Sequence, residues 1–135
     1  MVRVEADAEE PGVVTKTSPL SVQNTVSRLE QILASKGVKL FLVIDQSEEA
    51  RAVGLDLRET TLVIFGSPRA GTPIMSAAPL AALDLPLKVL IWASETGTKV
   101  SYYSPSEIAA RHHLSGELAQ GLAALDAISD ALVTP

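Results

Sequence analysis

The segment that decides the fold is residues 62–75, which reads LVIFGSPRAGTPIM. Its first four residues are large and apolar, as is typical of a buried strand. Glycine and proline then alternate at Gly66, Pro68, Gly71 and Pro73, and these residue types favour turns because of their special backbone angles. The segment therefore predicts a buried strand that breaks into a loop and leads into a short apolar helix.

Two more strands and two helices are predicted before this segment. Residues 12–18 and 38–44 are rich in β-branched and other apolar residues, which favours strands. Between them, apolar residues recur at three- and four-residue steps and predict an amphipathic helix that begins at Ser18-Pro19. Asp45 and the glutamate three residues later have the spacing of a capping box, which predicts a second, short helix.

The C-terminal part of the chain combines a hairpin with further helices. Residues 87–94 and 99–103 predict two strands joined by a tight turn. Helical signals then continue from Ser104 to Leu132. The alternation of strands and helices favours a parallel α/β sheet, whereas the hairpin and the long final helix favour an antiparallel α+β layer of about five strands. The pattern alone leaves both architectures open.

Composition limits the possible functions. The 135 residues predict one domain over residues 11–135 behind a flexible, acidic tail at 1–10. The net charge is −5 and the basic residues are scattered, so nucleic-acid binding is not expected. Without cysteine, disulfides, thiolate catalysis and Cys-based metal sites are excluded. No apolar run approaches membrane-spanning length and no signal peptide is recognisable, which predicts a cytoplasmic protein without a membrane partner.

The glycine-rich part of the segment is a near miss to a phosphate-binding loop. Gly66 and Gly71 have the right separation, but the lysine that should precede the hydroxyl residue Thr72 is missing, and Pro73 has no N–H to donate. A weaker anion site beside Arg69 is one alternative, because a helix N-terminus presents free N–H groups. The other alternative is a plain turn in which the glycines supply special backbone angles.

The two histidines, His112 and His113, are adjacent in sequence. Neighbouring residues on a helix point about 100° apart, so they are not placed to share one metal ion. His112 could act as a general base, or it could lie at a helix C-terminus and interact with the helix dipole. We expect no metal and no cofactor.

Five motifs follow one another along the chain: FLVID at 41–45, IFGSPRAGTPIM at 64–75, DLPLK at 84–88, YSP at 103–105 and ARHHL at 110–114. Together they resemble a known family, the one called domain of unknown function 302. The resemblance implies an α+β fold with a curved, mainly antiparallel sheet and helices on one side, in a small dimeric protein, and it supplies no settled activity. Many relatives carry histidine where this chain has Gln46, so a role built on that histidine is not expected here.

These observations lead to one functional prediction and two alternatives. The prediction is a homodimeric binding or interaction module with a small-ligand cleft around residues 66–75. The first alternative is an enzyme that acts on a small anionic substrate, with Asp45 and His112 as catalytic candidates and Arg69 as anion ligand. The second is a purely structural role in which apolar helix faces bind a protein partner. The candidate ligand-binding residues are Gly66, Ser67, Arg69, Gly71, Thr72, Met75 and Trp92.

Overall fold

A computed structural model describes residues 10–135, so the predicted tail at 1–10 lies outside the described residues except for its last one. Five strands form one sheet in the order β1-β5-β4-β3-β2, and every neighbouring pair is antiparallel. Of the two architectures left open by the sequence, the structure is therefore the antiparallel α+β one. The strands are β1 (Val13–Ser18), β2 (Lys39–Asp45), β3 (Thr60–Gly66), β4 (Leu87–Ser94) and β5 (Gly97–Tyr103).

Three helices connect strands of the sheet, and the other helices follow the last strand. Short 3-10 turns lie at Pro79–Leu83 and at Gln120–Leu122, the latter between the two last helices. No helix within residues 10–135 combines the length and the apolar character needed to cross a lipid bilayer. The α-helices are α1 (Val22–Ser35), α2 (Gln46–Ala52), α3 (Pro68–Ala77), α4 (Pro105–Arg111), α5 (Gly116–Ala119) and α6 (Ala124–Val133).

The core lies between one face of the sheet and the helices. Alternate residues of β3 and β4 are buried, which is the period-2 pattern of a sheet with one covered face. The apolar stripes of α1 and α6 pack against this face and against each other. The apolar residues with at most 1% exposure from these four elements are Leu29, Leu33, Val63, Phe65, Val89, Ile91, Leu125, Ile128 and Leu132.

The hairpin between β4 and β5 is confirmed, with Ser94 paired to Gly97 across a two-residue turn. Tyr102 and Tyr103 point to opposite faces, as expected: Tyr102 is buried in the core and Tyr103 is half exposed. Trp92 is buried on the face opposite the helices, where its indole N–H donates to Ser101 Oγ at 3.0 Å.

The predicted start of α1 is wrong by three residues. Ser21, and not Ser18, is the N-cap, because the Ser21 hydroxyl accepts a hydrogen bond from the N–H of Asn24. Ser18 instead ends β1, and its hydroxyl bonds to Thr25 Oγ1 at 2.7 Å. The Ser-Pro pair predicted a cap, but strand pairing holds Ser18 in the sheet.

The predicted loop at 66–72 is also corrected. β3 ends at Gly66 and α3 begins at Pro68, so Gly71 and Thr72 lie inside the helix. Proline at the first helical position is compatible with this start, because its missing N–H would have no helical partner there. Pro73 also lies within α3. The strand therefore turns directly into a helix.

Candidate functional site

A cavity of about 210 Å³ lies where β3 turns into α3. Five of the seven predicted ligand-binding residues line it, namely Gly66, Ser67, Gly71, Thr72 and Met75. The other walls come from β2, from the 3-10 turn between α5 and α6, and from the connection that leads into β4. These additional lining residues are Phe41, Pro68, Ala70, Ile74, Leu85, Pro86, Leu87, Gly121 and Leu122.

Two glycines leave room for this cavity. A Cβ atom on Gly66 would lie 3.6 Å from Pro86 Cβ and 3.9 Å from Phe41 Cε2. A Cβ atom on Gly71 would lie 3.7 Å from Met75 Cε and 3.9 Å from Leu85 Cδ1. These are ordinary contact distances, so a methyl group would fit at either position, but a longer side chain would enter the cavity.

Gly121 has a different role, which is to allow close packing. A Cβ atom there would lie 3.1 Å from the carbonyl oxygen of Ala70 and 3.1 Å from Ile74 Cδ1. One of these atoms belongs to the backbone of α3, so it moves only if the helix moves. Gly121 therefore sets the distance between α3 and the 3-10 turn that forms the opposite wall of the cavity.

We expect Gly121→Ala to lower the free energy of unfolding by about 1–3 kcal/mol, because overpacking a close contact forces the backbone apart. Urea unfolding followed by circular dichroism measures this effect. Gly116→Ala is the matched control, since nothing lies within 4 Å of a Cβ atom at Gly116 and that substitution should not destabilise the chain. Equal stability of the two variants would contradict the close-packing role.

Two of the residues that line the cavity, Ser67 and Thr72, have polar side chains. Ser67 is the N-cap residue of α3, but its side chain makes no capping hydrogen bond. Within residues 10–135 the Thr72 hydroxyl also has no protein partner. No described residue that lines the cavity carries an ionisable side chain. The cavity can therefore offer a ligand two neutral hydrogen-bonding groups on an apolar surface.

The geometry of a phosphate-binding loop is not formed. Pro68 has no N–H, and the N–H groups of Ala70 and Gly71 donate to the Ser67 carbonyl oxygen at 3.0 and 2.8 Å. Little backbone donor capacity is left for an anion at this helix start. Arg69 is exposed and does not line the cavity, and Trp92 lies on the other face of the sheet. The anion-site alternative thus has no support from these contacts.

Asp45 lies at the opposite end of the β2–β3 ladder from the cavity. Lys39 pairs with Gly66, whereas Asp45 pairs with Thr61. Six residues of strand separate these positions, which is about 20 Å at ~3.4 Å per residue. Asp45 caps α2 by accepting from Ser47 Oγ and from the N–H of Glu48 at 3.0 Å, so its predicted capping role is confirmed.

A larger groove of about 440 Å³ surrounds Asp45, between α1, α2 and the sheet. Four of its polar side chains bond in pairs: Ser47 donates to Asp45, and Arg51 donates to Glu48 at 2.9 Å. The hydrogen bonds to Ser47 and to the backbone N–H of Glu48 lower the pKa of Asp45, although burial slightly opposes this. These contacts are explained by the start of α2. Gln23, Glu59 and Thr61 also line the groove.

His112 belongs to a third location. Its Nε2 atom lies 2.6 Å from Asp84 Oδ2, and Arg111 Nη1 donates to Asp84 Oδ1 at 3.0 Å. Asp84 directly follows the 3-10 turn Pro79–Leu83, so these contacts connect that turn to the end of α4. Neither His112 nor Asp45 lines the cavity beside α3. The three residues of the enzyme alternative therefore do not converge on one pocket.

Partial burial opposes ionisation of Asp84, but the hydrogen bond with His112 and the charge of Arg111 outweigh it and lower the pKa of Asp84. A carboxyl with a lowered folded pKa stabilises the fold above its unfolded pKa of about 3.9, and the contribution is lost as the pH falls through the folded value. His113 follows with φ of +53°, a left-handed conformation that ends α4.

We expect Asp84→Asn to lower the free energy of unfolding by about 1–3 kcal/mol at pH 7, because it removes charge-assisted hydrogen bonds. The difference from the wild type should persist down to about pH 5 and should shrink below about pH 4. Urea unfolding of both proteins over this pH series measures it. A difference that does not depend on pH would contradict the assigned interaction.

Comparison with known proteins agrees with the observed fold. The family described as "Domain of unknown function DUF302" matches residues 14–132. The chain belongs to the DUF302 family. A crystal structure of an uncharacterised conserved DUF302 protein from Bacillus stearothermophilus has the same fold, with a TM-score of 0.77 at 18% identity. The alignment covers 92% of this chain and 97% of the Bacillus chain.

Curated relatives of this DUF302 chain include longer proteins. It is 36% identical over 104 residues to "Fluoride-specific ion channel FluC 1" of Brucella suis and to "Fluoride-specific ion channel FluC 2" of Brucella melitensis. The match covers 76% of this chain in both cases, but only 41% of the Brucella suis protein and 38% of the Brucella melitensis protein. The chain therefore matches about two fifths of the length of these relatives.

The cavity residues that the functional prediction missed had a signal in the sequence. Phe41 and the stretch 85–87 belong to two motifs that carry the family resemblance, at 41–45 and 84–88. Together with residues 66–75, three of the five motifs meet at this cavity. Gly121 lies in none of them, and its role depends on a contact between elements that are distant in the chain.

Proposed function

We propose that this DUF302 chain is a homodimeric binding module that holds a small ligand in the cavity between β3 and α3. The observation that carries the proposal is the cavity itself, in which three separate family motifs converge. Small-molecule sites are mostly apolar concavities with a few placed polar groups, and this cavity has that composition. Because no ionisable side chain lines it within the described residues, binding is favoured over catalysis.

The dimer part of the proposal is supported by β2. This strand is at the edge of the sheet and pairs only with β3 in the described chain. Four consecutive apolar side chains on it are 36–53% exposed, and an exposed apolar edge strand is a template for pairing with another chain. The four residues are Leu40, Phe41, Leu42 and Val43.

The sequence of β2 is complementary to itself in the antiparallel direction. If two copies pair about a two-fold axis at Leu42, Lys39 of one copy lies opposite Asp45 of the other. Opposite charges across a strand pair are favourable, and the apolar residues between them then face one another. A symmetric contact of this kind closes the assembly at a dimer.

Phe41 connects the two parts of the proposal. The register of β2 against β3 shifts between Leu40 and Leu42, so Phe41 lies at a β-bulge. Bulges redirect side chains near sites, and Phe41 lines the cavity while it remains 43% exposed. A dimer formed through β2 would cover the outer side of this ring and would restrict access to the cavity.

Native mass spectrometry of the gently purified chain tests this proposal. We expect an assembly of twice the 14.2 kDa chain mass that carries a defined small adduct. The adduct should be absent from the Gly71→Leu variant, whose side chain would fill the cavity. A monomer would contradict the dimer part, and an adduct of equal abundance in both proteins would contradict the cavity as its site. The cytoplasmic location predicted from composition is retained as part of the proposal.

A second candidate function follows from the Brucella relatives, whose printed names describe fluoride-specific ion channels. We propose that a domain of this family can act as an accessory to such a channel, because the match covers only 41% and 38% of those proteins. Fluoride efflux from liposomes would be measured for the Brucella suis protein with and without the region that matches this chain. This role would be supported if the deletion changes the efflux and if separate addition of the 135-residue chain restores the original efflux. Unchanged efflux after the deletion would contradict it.

A further inference from the structure

We infer that the ligand of the cavity is an uncharged molecule of about one aromatic ring, or a comparable aliphatic chain, with a single hydroxyl, carbonyl or amide group. This inference rests on the proposed function, because it names the ligand class of the same site. Three properties of the cavity define the ligand class: the charge of its walls, the number and kind of their polar groups, and the available volume.

The lining of the cavity disfavours a charged ligand. Large apolar side chains, including Phe41, Met75, Leu85 and Leu122, form most of the lining, and no described lining residue is ionisable. Moving an ion from water into such surroundings without a partner is strongly unfavourable. The net charge of −5 adds a general repulsion against anions.

One cationic group near the cavity already interacts with a ring that lines it. The Lys39 ammonium lies 4.9 Å from the centroid of the Phe41 ring, which is within the range of a cation–π contact. Lys39 does not itself line the cavity, and neither does Arg69. A carboxylate would have to draw one of these exposed side chains inward, at a cost in desolvation and side-chain entropy.

The two hydroxyls select a neutral polar group. Ser67 is the N-cap residue of α3 and Thr72 follows five residues later; both line the cavity, and neither side chain has a hydrogen-bond partner within the described residues. A hydroxyl both donates and accepts, so this pair can satisfy an alcohol, a carbonyl or an amide. A bond to the ligand replaces a bond to solvent, so the gain from each one is the modest net value of an exchange.

The volume sets the size of the ligand. An apolar cavity of about 150 Å³ holds one benzene ring, and drug-sized ligands occupy about 300–1,000 Å³. At about 210 Å³ this cavity fits a ring with a few additional atoms. 2-Phenylethanol is such a molecule, and phenylacetate and ethylbenzene are its charged and purely apolar counterparts of similar shape.

Isothermal titration calorimetry of the full chain with these three compounds and with inorganic phosphate tests the inference. We expect 2-phenylethanol to bind at least about tenfold more tightly than phenylacetate, which corresponds to about 1.4 kcal/mol. Ethylbenzene should bind about threefold to tenfold more weakly than 2-phenylethanol, because it leaves both hydroxyls unused. Phosphate should not bind.

Variants identify the side chains that are responsible for the preference for 2-phenylethanol. In the double variant Ser67→Ala with Thr72→Val, the affinity for 2-phenylethanol should fall to that for ethylbenzene, while ethylbenzene binding should be retained. Arg69→Ala is the matched control on the same helix and should leave all affinities unchanged, since Arg69 lies outside the lining. A preference for 2-phenylethanol that survives the double variant would overturn the role of the hydroxyls.

The outcomes separate this inference from the proposed function. Preferred binding of phenylacetate or phosphate, abolished by Gly71→Leu, would overturn the neutral ligand class and would leave the cavity as the binding site. Binding of none of the four compounds, or binding that Gly71→Leu does not change, would overturn both the ligand class and the proposed site.

Discussion

Replacing Gly71 by leucine is expected to reduce binding of 2-phenylethanol by at least about 100-fold, which is about 2.7 kcal/mol. Gly71 lies inside α3 and faces the cavity, where even its first side-chain atom would lie 3.7 Å from Met75 Cε. The remaining three carbons of leucine would occupy the space that the ligand needs. Calorimetric titration measures the loss.

The same substitution should not unfold the chain, which distinguishes blocked binding from lost structure. Glycine within a helix is less favourable than other residues by about 0.5–1 kcal/mol, so both Gly71→Ala and Gly71→Leu gain helix propensity. Gly71→Ala adds only one methyl group and should therefore raise the free energy of unfolding while weakening binding far less than leucine does. Ala77→Leu, at an exposed position of α3, is the control for a leucine that does not enter the cavity.

Unimpaired binding by Gly71→Leu would contradict the assignment of the ligand to this cavity. If Ala77→Leu reduces binding by as much as Gly71→Leu does, the loss is not specific to the cavity. Circular dichroism and urea unfolding of all three variants would establish that each one is folded under the conditions of the titration.

Replacing Leu42 by lysine is expected to convert the proposed dimer into a monomer. Leu42 is at the centre of β2 and is 53% exposed, so the lysine can reach water in an isolated chain. In a two-fold pairing of β2 strands, however, the two lysines would lie opposite one another, and like charges directly across a strand pair are destabilising. The loss of the central apolar contact adds to this effect.

Sedimentation equilibrium measures the outcome through the mass of the assembly. The wild type should have twice the 14.2 kDa chain mass and Leu42→Lys should have the chain mass itself. Leu80→Lys is the matched control, because Leu80 is 71% exposed but lies in the 3-10 turn after α3 and not on the edge strand. Dissociation by Leu80→Lys, or a dimer that survives Leu42→Lys, would place the interface elsewhere.

The sequence predicted the strands well because each carries a strong local signal. The apolar runs at 38–44 and 61–65 are strands, and the hairpin at 94–97 is where its turn residues indicated. The direction of pairing, by contrast, depends on contacts between strands that are distant in the chain, so the sequence left parallel and antiparallel sheets open. The family resemblance, and not the local pattern, pointed to the antiparallel sheet.

The errors at helix starts have a common cause, which is that one residue type serves several local structures. Serine before proline is typical of an N-cap, yet Ser18 belongs to a strand and Ser21 caps the helix. Glycine and proline between 66 and 73 indicated a loop, although Pro68 is compatible with a first helical turn and Gly71 is tolerated inside it. The continuous stripe near the C-terminus is divided by a 3-10 turn, so α6 itself has ten residues.

The sequence correctly indicated the central segment of the candidate site, but only some of the side chains that take part in it. The segment 66–75 supplies much of the cavity, as its unusual composition suggested. Arg69 and Trp92 were predicted to bind a ligand because of their residue types. A linear sequence does not show that Arg69 is exposed outside the cavity lining, or that Trp92 lies on the other face of the sheet. Ser67 and Thr72 were candidates from the sequence, but whether a hydroxyl is free or bonded depends on its neighbours in the folded chain.

The most direct test of the central claim is a ¹H–¹⁵N correlation spectrum of the chain titrated with 2-phenylethanol. We expect saturable shifts of the amide signals of Gly66, Ser67, Gly71 and Gly121, which surround the cavity from three elements. Signals of Trp92 and its neighbours on the opposite sheet face should not move. Shifts confined to that face, or a spectrum that the compound leaves unchanged, would contradict a small-ligand site between β3 and α3.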